Sequence, residues 1–162
     1  HCIAVDPWFI ISKTPDESKL FHTARKVNDY KPQWVIDNVR LAVTEFLSKN
    51  VSKTINDVTV SCFGLSFKPN IDDLRESPAL NITKELTKLN FGKLLAVEPN
   101  ITEIPESLRD KVDLVSINYA LDKSDICVFL VAHREFNVVN HNELLLVQVI
   151  DVCGLFKNKT TI

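Results

Sequence analysis

A chain of 162 residues with 45% hydrophobic and 25% charged side chains can build a packed core, which excludes a disordered segment. Its formal net charge is −2 with both signs interspersed, so nothing in it favours nucleic acid or a membrane surface as partner. The longest apolar runs, such as residues 126–132, are strand-length and too short to cross a bilayer. No basic n-region with a cleavable apolar stretch opens the sequence, and the expected location is cytoplasmic.

Residues 1–20 read as irregular, with Pro7 and Pro15 as breakers around the apolar patch 8–11. From about residue 23 to 49 the pattern is helical. Val35, Val39, Ala42, Val43, Phe46 and Leu47 recur at three- and four-residue steps, while Arg40, Glu45 and Lys49 face away. Pro32 predicts a start or a kink. Such a helix is roughly 25 Å or more long at about 1.5 Å per residue, a spine between two domains.

From Asp57 the rhythm becomes strand, helix, strand. Residues 58–63 form a strand ending at Gly64, and Ser77-Pro78 is a helix start, an N-cap followed by Pro at the first position. Ala79, Ile82, Leu86 and Leu89 make one apolar face, and Gly92 stops the helix. Residues 93–97, 112–117 and 126–132 follow as strands. A helical turn around 143–145 and a strand 147–151 lead to Gly154. This alternation predicts an α/β fold, a long central helix followed by a parallel sheet, divided at about residues 1–52 and 53–162. Cys62 and Cys127 sit inside strands and read as buried, inert thiols. Trp8 and Trp34 read as packing anchors, His22 and His141 as surface residues, and His133 as a local turn contact.

Ligands of such sheets bind beyond the carboxyl ends of the strands, which singles out the loops after Phe63, Val97, Ala132 and Asp151. The first, residues 64–77, is the longest and most charged. It leads into a helix N-terminus, where anions are favoured, with Lys68 and Arg75 as added cations and Asp72 or Asp73 able to orient Arg75. Chemistry alone leaves two readings, recognition of a phosphate or sugar-phosphate and a solvated charged loop. At the other end, Cys2 and Asp6 would share one side if that segment made a helical turn. A thiolate can attack an aldehyde and a nearby carboxylate can activate water against the resulting thioester, though a loop cysteine of no consequence fits as well. The only glycines, at 64, 92 and 154, rule out a Gly-x-Gly-x-x-Gly fingerprint. The four cysteines at 2, 62, 127 and 153 have no zinc spacing, and no metal is expected.

Residues 64–79, Gly-Leu-x-Phe-Lys-Pro-x-x-Asp-Asp-x-Arg-x-Ser-Pro-Ala, resemble the C-terminal motif of the UDP-glucose/GDP-mannose dehydrogenase family. The opening His1-Cys2-Ile3-x-Val5-Asp6-Pro7 resembles the catalytic-cysteine segment of the branch that oxidises UDP-N-acetylhexosamines, UDP-N-acetylmannosamine in particular. Residues 24–29, Ala-Arg-Lys-Val-Asn-Asp, resemble the start of that family's long central helix, which carries its dimer contact. The resemblance covers essentially the whole chain, in the same order.

It implies a Rossmann-like UDP-sugar-binding domain at 53–162, a homodimer through the central helix, and two successive hydride transfers to NAD that turn a sugar C6 alcohol into a carboxylate. Cys2 would be the nucleophile, carrying a thiohemiacetal and then a thioester. Asp6 would assist proton transfers and hydrolysis, Lys68 would contact the substrate, and Arg75 would reach NAD. The family's glycine-rich NAD-binding domain would lie outside this chain, which would then be a C-terminal piece, inactive by itself, of an enzyme of surface-polysaccharide synthesis. Val5 stands where the UDP-glucose branch has Lys, which fits the hexosamine branch. Cys153 stands where a basic residue usually follows the last strand, which weakens the expected substrate grip. A non-catalytic nucleotide-sugar-binding or dimerisation module is the competing reading. An unrelated flavodoxin-like or receiver domain would leave residues 64–79 unexplained.

Overall fold

The computed structural model describes residues 2–156, apart from the side chains of residues 2–4 and 141. Two helices come first, α1 (Cys2–Lys13) and α2 (Lys19–Lys49). The remainder alternates: β1 (Thr59–Phe63), α3 (Pro78–Leu86), β2 (Lys93–Val97), β3 (Asp113–Leu114), α4 (Ile117–Lys123), β4 (Ile126–Phe129), α5 (His141–Leu144) and β5 (Gln148–Asp151). All strand pairs are parallel, in the order β3-β2-β1-β4-β5. The connection from β1 starts at the sheet centre and runs outward in both directions, so the chain crosses over between β3 and β4. That crossover puts the ends of β1 and β4 at the switch point of the sheet.

Two expectations fail at prolines. Residues 2–13 are helical with Pro7 inside, not irregular. Pro7 sits within the first two turns, so it forfeits a single intrahelical bond, to the carbonyl of Ile3. The helix then docks on α2. Pro32 neither starts nor interrupts α2, which also begins earlier than the periodicity indicated. The lost bond there is offset by burial immediately downstream, where Val35 and Val39 are 0% exposed. Each such side chain contributes roughly 1.5–3 kcal/mol.

Strand lengths change for local reasons. The strand expected over 112–117 shrinks to two residues because the Ser116 side chain accepts the Tyr119 amide at 3.3 Å and caps α4. The strand expected over 126–132 ends at Phe129, since β1 stops at Phe63 and the Phe63 carbonyl takes both the Leu130 and Val131 amides. At α3, Ser77 caps as predicted: its Oγ accepts from the Leu80 amide at 3.2 Å, with Pro78 at the first position.

The sheet is covered on both faces. One face, with α2 and α3, buries Val35, Val39, Val60, Cys62, Leu86 and Ile126. The other buries an aromatic cluster of Phe63, Phe129, Phe136 and Phe156, in which Phe63 and Phe129 stack at 4.3 Å. Cys62 and Cys127 lie in these layers, and burial pushes both thiols up to about 12, so neither is a nucleophile at neutral pH. No helix among the described residues is long and apolar enough to cross a membrane.

Candidate functional site

The loop between β1 and α3 is tied down at its base, while residues 68–72 stay exposed. It leaves the sheet at Gly64, with φ at +89°. A Cβ added there would stand 2.6 Å from Val131 Cβ, so the position excludes a side chain both by backbone conformation and by space. Gly64→Ala is therefore expected to destabilise the fold by about 2–3 kcal/mol. Urea unfolding measures it, and an unchanged midpoint would contradict the role given to Gly64.

Beyond Gly64 the backbone closes on Glu98, at the carboxyl end of β2. Glu98 Oε2 accepts the amides of Leu65 at 2.7 Å and Ser66 at 3.0 Å, and Oε1 accepts the Asn100 amide at 3.1 Å. His133, from the loop after β4, lies 3.0 Å from Glu98 Oε2 through Nε2. Both side chains are 0% exposed. The protonation state of His133 follows from its partners. The Asn70 backbone amide meets Nδ1 at 2.9 Å and can only donate, and Asn100 Nδ2 lies 3.0 Å from the same atom. Nδ1 is thus the acceptor, and the ring proton sits on Nε2, donated to Glu98. Ser66 Oγ donates to the Lys68 carbonyl at 2.8 Å and lies 3.2 Å from His133 Nε2. Burial alone would raise the Glu98 carboxyl, but hydrogen bonds from His133, Leu65 and Asn100 outweigh it and hold the pKa at about 2.

The exposed part of the loop carries the charges. Arg75 is held bidentate by Asp73, Nε to Oδ1 at 2.9 Å and Nη2 to Oδ2 at 2.7 Å, so Asp73 and not Asp72 orients it. The Arg75 guanidinium brings Asp73 down to about 2. The Arg75 side chain remains 80% exposed, which leaves its other donors in water beside the Ser77 start of α3. Lys68 is exposed, 5.7 Å from the Phe67 ring. Between this loop and α2 lies a groove of about 460 Å³, lined by residues that include Arg25, Asn28, Lys31, Phe67, Glu76 and Asn81.

The other expected positions divide. Positions 2 and 6 are one turn apart on α1, as the conditional helical reading required. The side chain of Cys2 lies outside the described residues; Asp6 is exposed. Cys153 follows β5 in a turn ordered by Asp151, whose Oδ1 accepts the Gly154 amide at 2.7 Å and whose Oδ2 accepts the Phe156 amide at 2.8 Å. Burial and then Asp151 push the Cys153 thiol up to about 11. Trp8 and Trp34 are only partly covered, Trp8 edge-on to a half-buried His22 and Trp34 beneath the Lys31 ammonium. The His141 side chain lies outside the described residues. Among the described residues no three His, Cys, Asp or Glu side chains gather as metal ligands.

Sequence reasoning missed Glu98, Asn100, Ser66 and Asn70. The carboxyl-end rule named the loop after Val97, and an acid ending an apolar strand, in Glu98-Pro99-Asn100, was the available signal.

Residues 61–158 match the UDP-binding domain of the UDP-glucose/GDP-mannose dehydrogenase family. The chain belongs to this family. It is 45% identical over 157 residues to the UDP-N-acetyl-D-mannosamine dehydrogenase of Escherichia coli K12, covering 97% of this chain and 37% of that protein. With the NDP-N-acetyl-D-galactosaminuronic acid dehydrogenase of Ralstonia solanacearum it shares 43% identity over 159 residues, 98% of this chain and 35% of the other. The solved UDP-N-acetyl-mannosamine dehydrogenase of Staphylococcus aureus superposes with a TM-score of 0.68 at 28% identity, over 99% of this chain and 35% of its own. The Rossmann-like fold expected from the resemblance is therefore the family's fold, and the chain spans little more than a third of the length of these relatives.

Proposed function

We propose that this chain is the catalytic-cysteine and UDP-sugar-binding part of an NAD-dependent UDP-N-acetyl-D-mannosamine dehydrogenase acting in the cytoplasm for surface-polysaccharide synthesis. The observation that carries the reading is the loop 64–77. A stretch of sequence with the family's pattern is anchored from beneath by buried groups and offers Lys68 and Arg75 to solvent at the switch point of the sheet. The division at about residue 52 is part of this reading, with α1 and α2 as the catalytic and dimerisation segment.

Cys2 is the nucleophile that holds the sugar carbon through the second oxidation, and Asp6, one turn along α1, assists proton transfer and the hydrolysis that frees the acid. Lys68 meets the substrate. Arg75, fixed by Asp73 yet largely exposed, has the donor geometry for a pyrophosphate oxygen and is assigned to NAD. NAD, when bound, supplies the hydride acceptor for both steps. A second copy docks on the outer face of α2, where Leu20, Phe21, Val27, Tyr30, Trp34 and Leu41 are exposed. Of the non-catalytic alternatives, a dimerisation module is the one that Cys153 favours, since a thiol stands where a cation for the nucleotide sugar is expected.

Calorimetry with UDP tests the reading. The chain is expected to bind weakly, with Lys68→Ala about ten- to a hundredfold weaker and Cys153→Arg tighter by a similar factor, the worth of one charged hydrogen bond. Equal affinity of the Lys68→Ala variant would remove Lys68 from the site. Low-micromolar binding that Cys153→Arg does not improve would remove the account of position 153.

A further inference from the structure

The loop that carries Lys68 is clamped at both ends by two side chains that touch no solvent. At its start, the Leu65 and Ser66 amides enter Glu98 Oε2; at its end, the Asn70 amide enters His133 Nδ1. The same two side chains meet each other at 3.0 Å, so both ends of the segment refer to one buried point. Ser66 Oγ links the Lys68 carbonyl to that point, and Asn70 Oδ1 in turn accepts the Arg134 amide at 2.9 Å. Ordinary turn chemistry does not require this. A solvated loop satisfies its amides with water, whereas here two distant segments, at Glu98 and at His133 with Arg134, converge on residues 65–70, which include Phe67 and Lys68.

We propose that Glu98 and His133 are positioning residues for the nucleotide-sugar site: His133, neutral with its proton on Nε2, grips the Asn70 amide while Glu98 grips the Leu65 and Ser66 amides, and together they set where Lys68 meets the ligand. The inference rests on the reading of Lys68 as a ligand contact. Its chemistry is specific. An imidazole protonated at Nδ1 cannot accept the Asn70 amide, and an apolar ring of similar size packs against Phe136, edge-on to His133 at 5.3 Å, without gripping anything.

The test uses the chain at pH 8 with UDP as the probe, and reads amide hydrogen exchange and calorimetric affinity on the same samples. His133→Phe is expected to raise exchange at the Asn70 amide and to weaken UDP binding, each by about tenfold or more, the loss of one buried hydrogen bond. His133→Gln offers a carboxamide oxygen to Asn70 and an N–H toward Glu98, and is expected to restore both to within about threefold. A bulk structural role would not show that rescue. Unchanged Asn70 exchange in His133→Phe overturns the clamp. Faster exchange with unchanged UDP affinity overturns its link to Lys68. If His133→Phe does not unfold cooperatively, Ser66→Ala takes its place. It is expected to unfold cooperatively and to weaken UDP about threefold or more, and unaltered affinity overturns the proposal. Absence of any UDP binding by the native chain overturns the proposed function and the ligand half of this inference, while the exchange measurement still decides whether the loop is clamped.

Discussion

Cys2→Ser, made in a full-length protein that joins this chain to the N-terminal part of the E. coli relative, is expected to abolish formation of the sugar acid, by on the order of a thousandfold or more. A thiol ionises in the neutral range, whereas a serine hydroxyl does not and has no general base assigned to it here. In the proposed sequence of steps, oxidation of the alcohol to the aldehyde does not pass through the thiol, so the first two-electron step is expected to persist while the second fails. UDP-sugar affinity should change little, because the nucleotide end is assigned to the loop 64–77 and not to α1. Product analysis by mass spectrometry separates the outcomes. An undiminished yield of uronic acid removes Cys2 from the mechanism, and loss of both steps assigns it to binding or folding instead.

Glu98→Ala is expected to lower stability by about 4 kcal/mol. Three buried donors lose their acceptor at once, the Leu65 and Ser66 amides and His133 Nε2–H. Each unsatisfied donor costs about 1–3 kcal/mol, reduced where water follows into the space vacated. The pH dependence has a definite sign. The Glu98 carboxyl titrates near 2 in the folded chain against an ordinary value of 4.5, a depressed acid. Its contribution is fully present above 4.5 and lost as pH falls from there toward 2. Urea midpoints of the native chain and the variant should differ most near pH 7 and converge as pH falls through that window. A constant difference between them would mean that Glu98 is not held as a carboxylate.

The parallel sheet, the start of α3 and the cations exposed on the loop 64–77 were legible in the sequence because each rests on local chemistry. Ser77-Pro78 caps α3 with its own side chain and ring, whatever surrounds it. Strand β4, Ile-Cys-Val-Phe, is buried throughout and reads as a continuous apolar run, and β1 reads as a strand-like stretch that ends at the turn-forming Gly64. Arg75 follows two adjacent acids, so an ion pair there needed no knowledge of the fold, and the structure chose Asp73 over Asp72.

What stayed hidden depends on distance along the chain. Glu98 and His133 are 35 positions apart, and Asn70 and His133 are 63 apart, so no window of sequence places the three together. The sequence assigned His133 a local turn contact; its side chain instead reaches Glu98, Asn100 and the backbone of a different loop at Asn70. The reading of Pro7 and Pro32 as breakers failed for a related reason. The local cost of a proline is a fixed property of the residue, whereas what offsets it is packing, with α1 lying on α2 and α2 burying Val35, Ile36, Val39 and Val43. The sequence by itself therefore determined the family, the strands and the exposed charges of the loop. Only the tertiary structure decided that α1 is helical and that the loop hangs from a buried carboxylate and imidazole, because those outcomes rest on contacts between segments that are adjacent only after the sheet has formed.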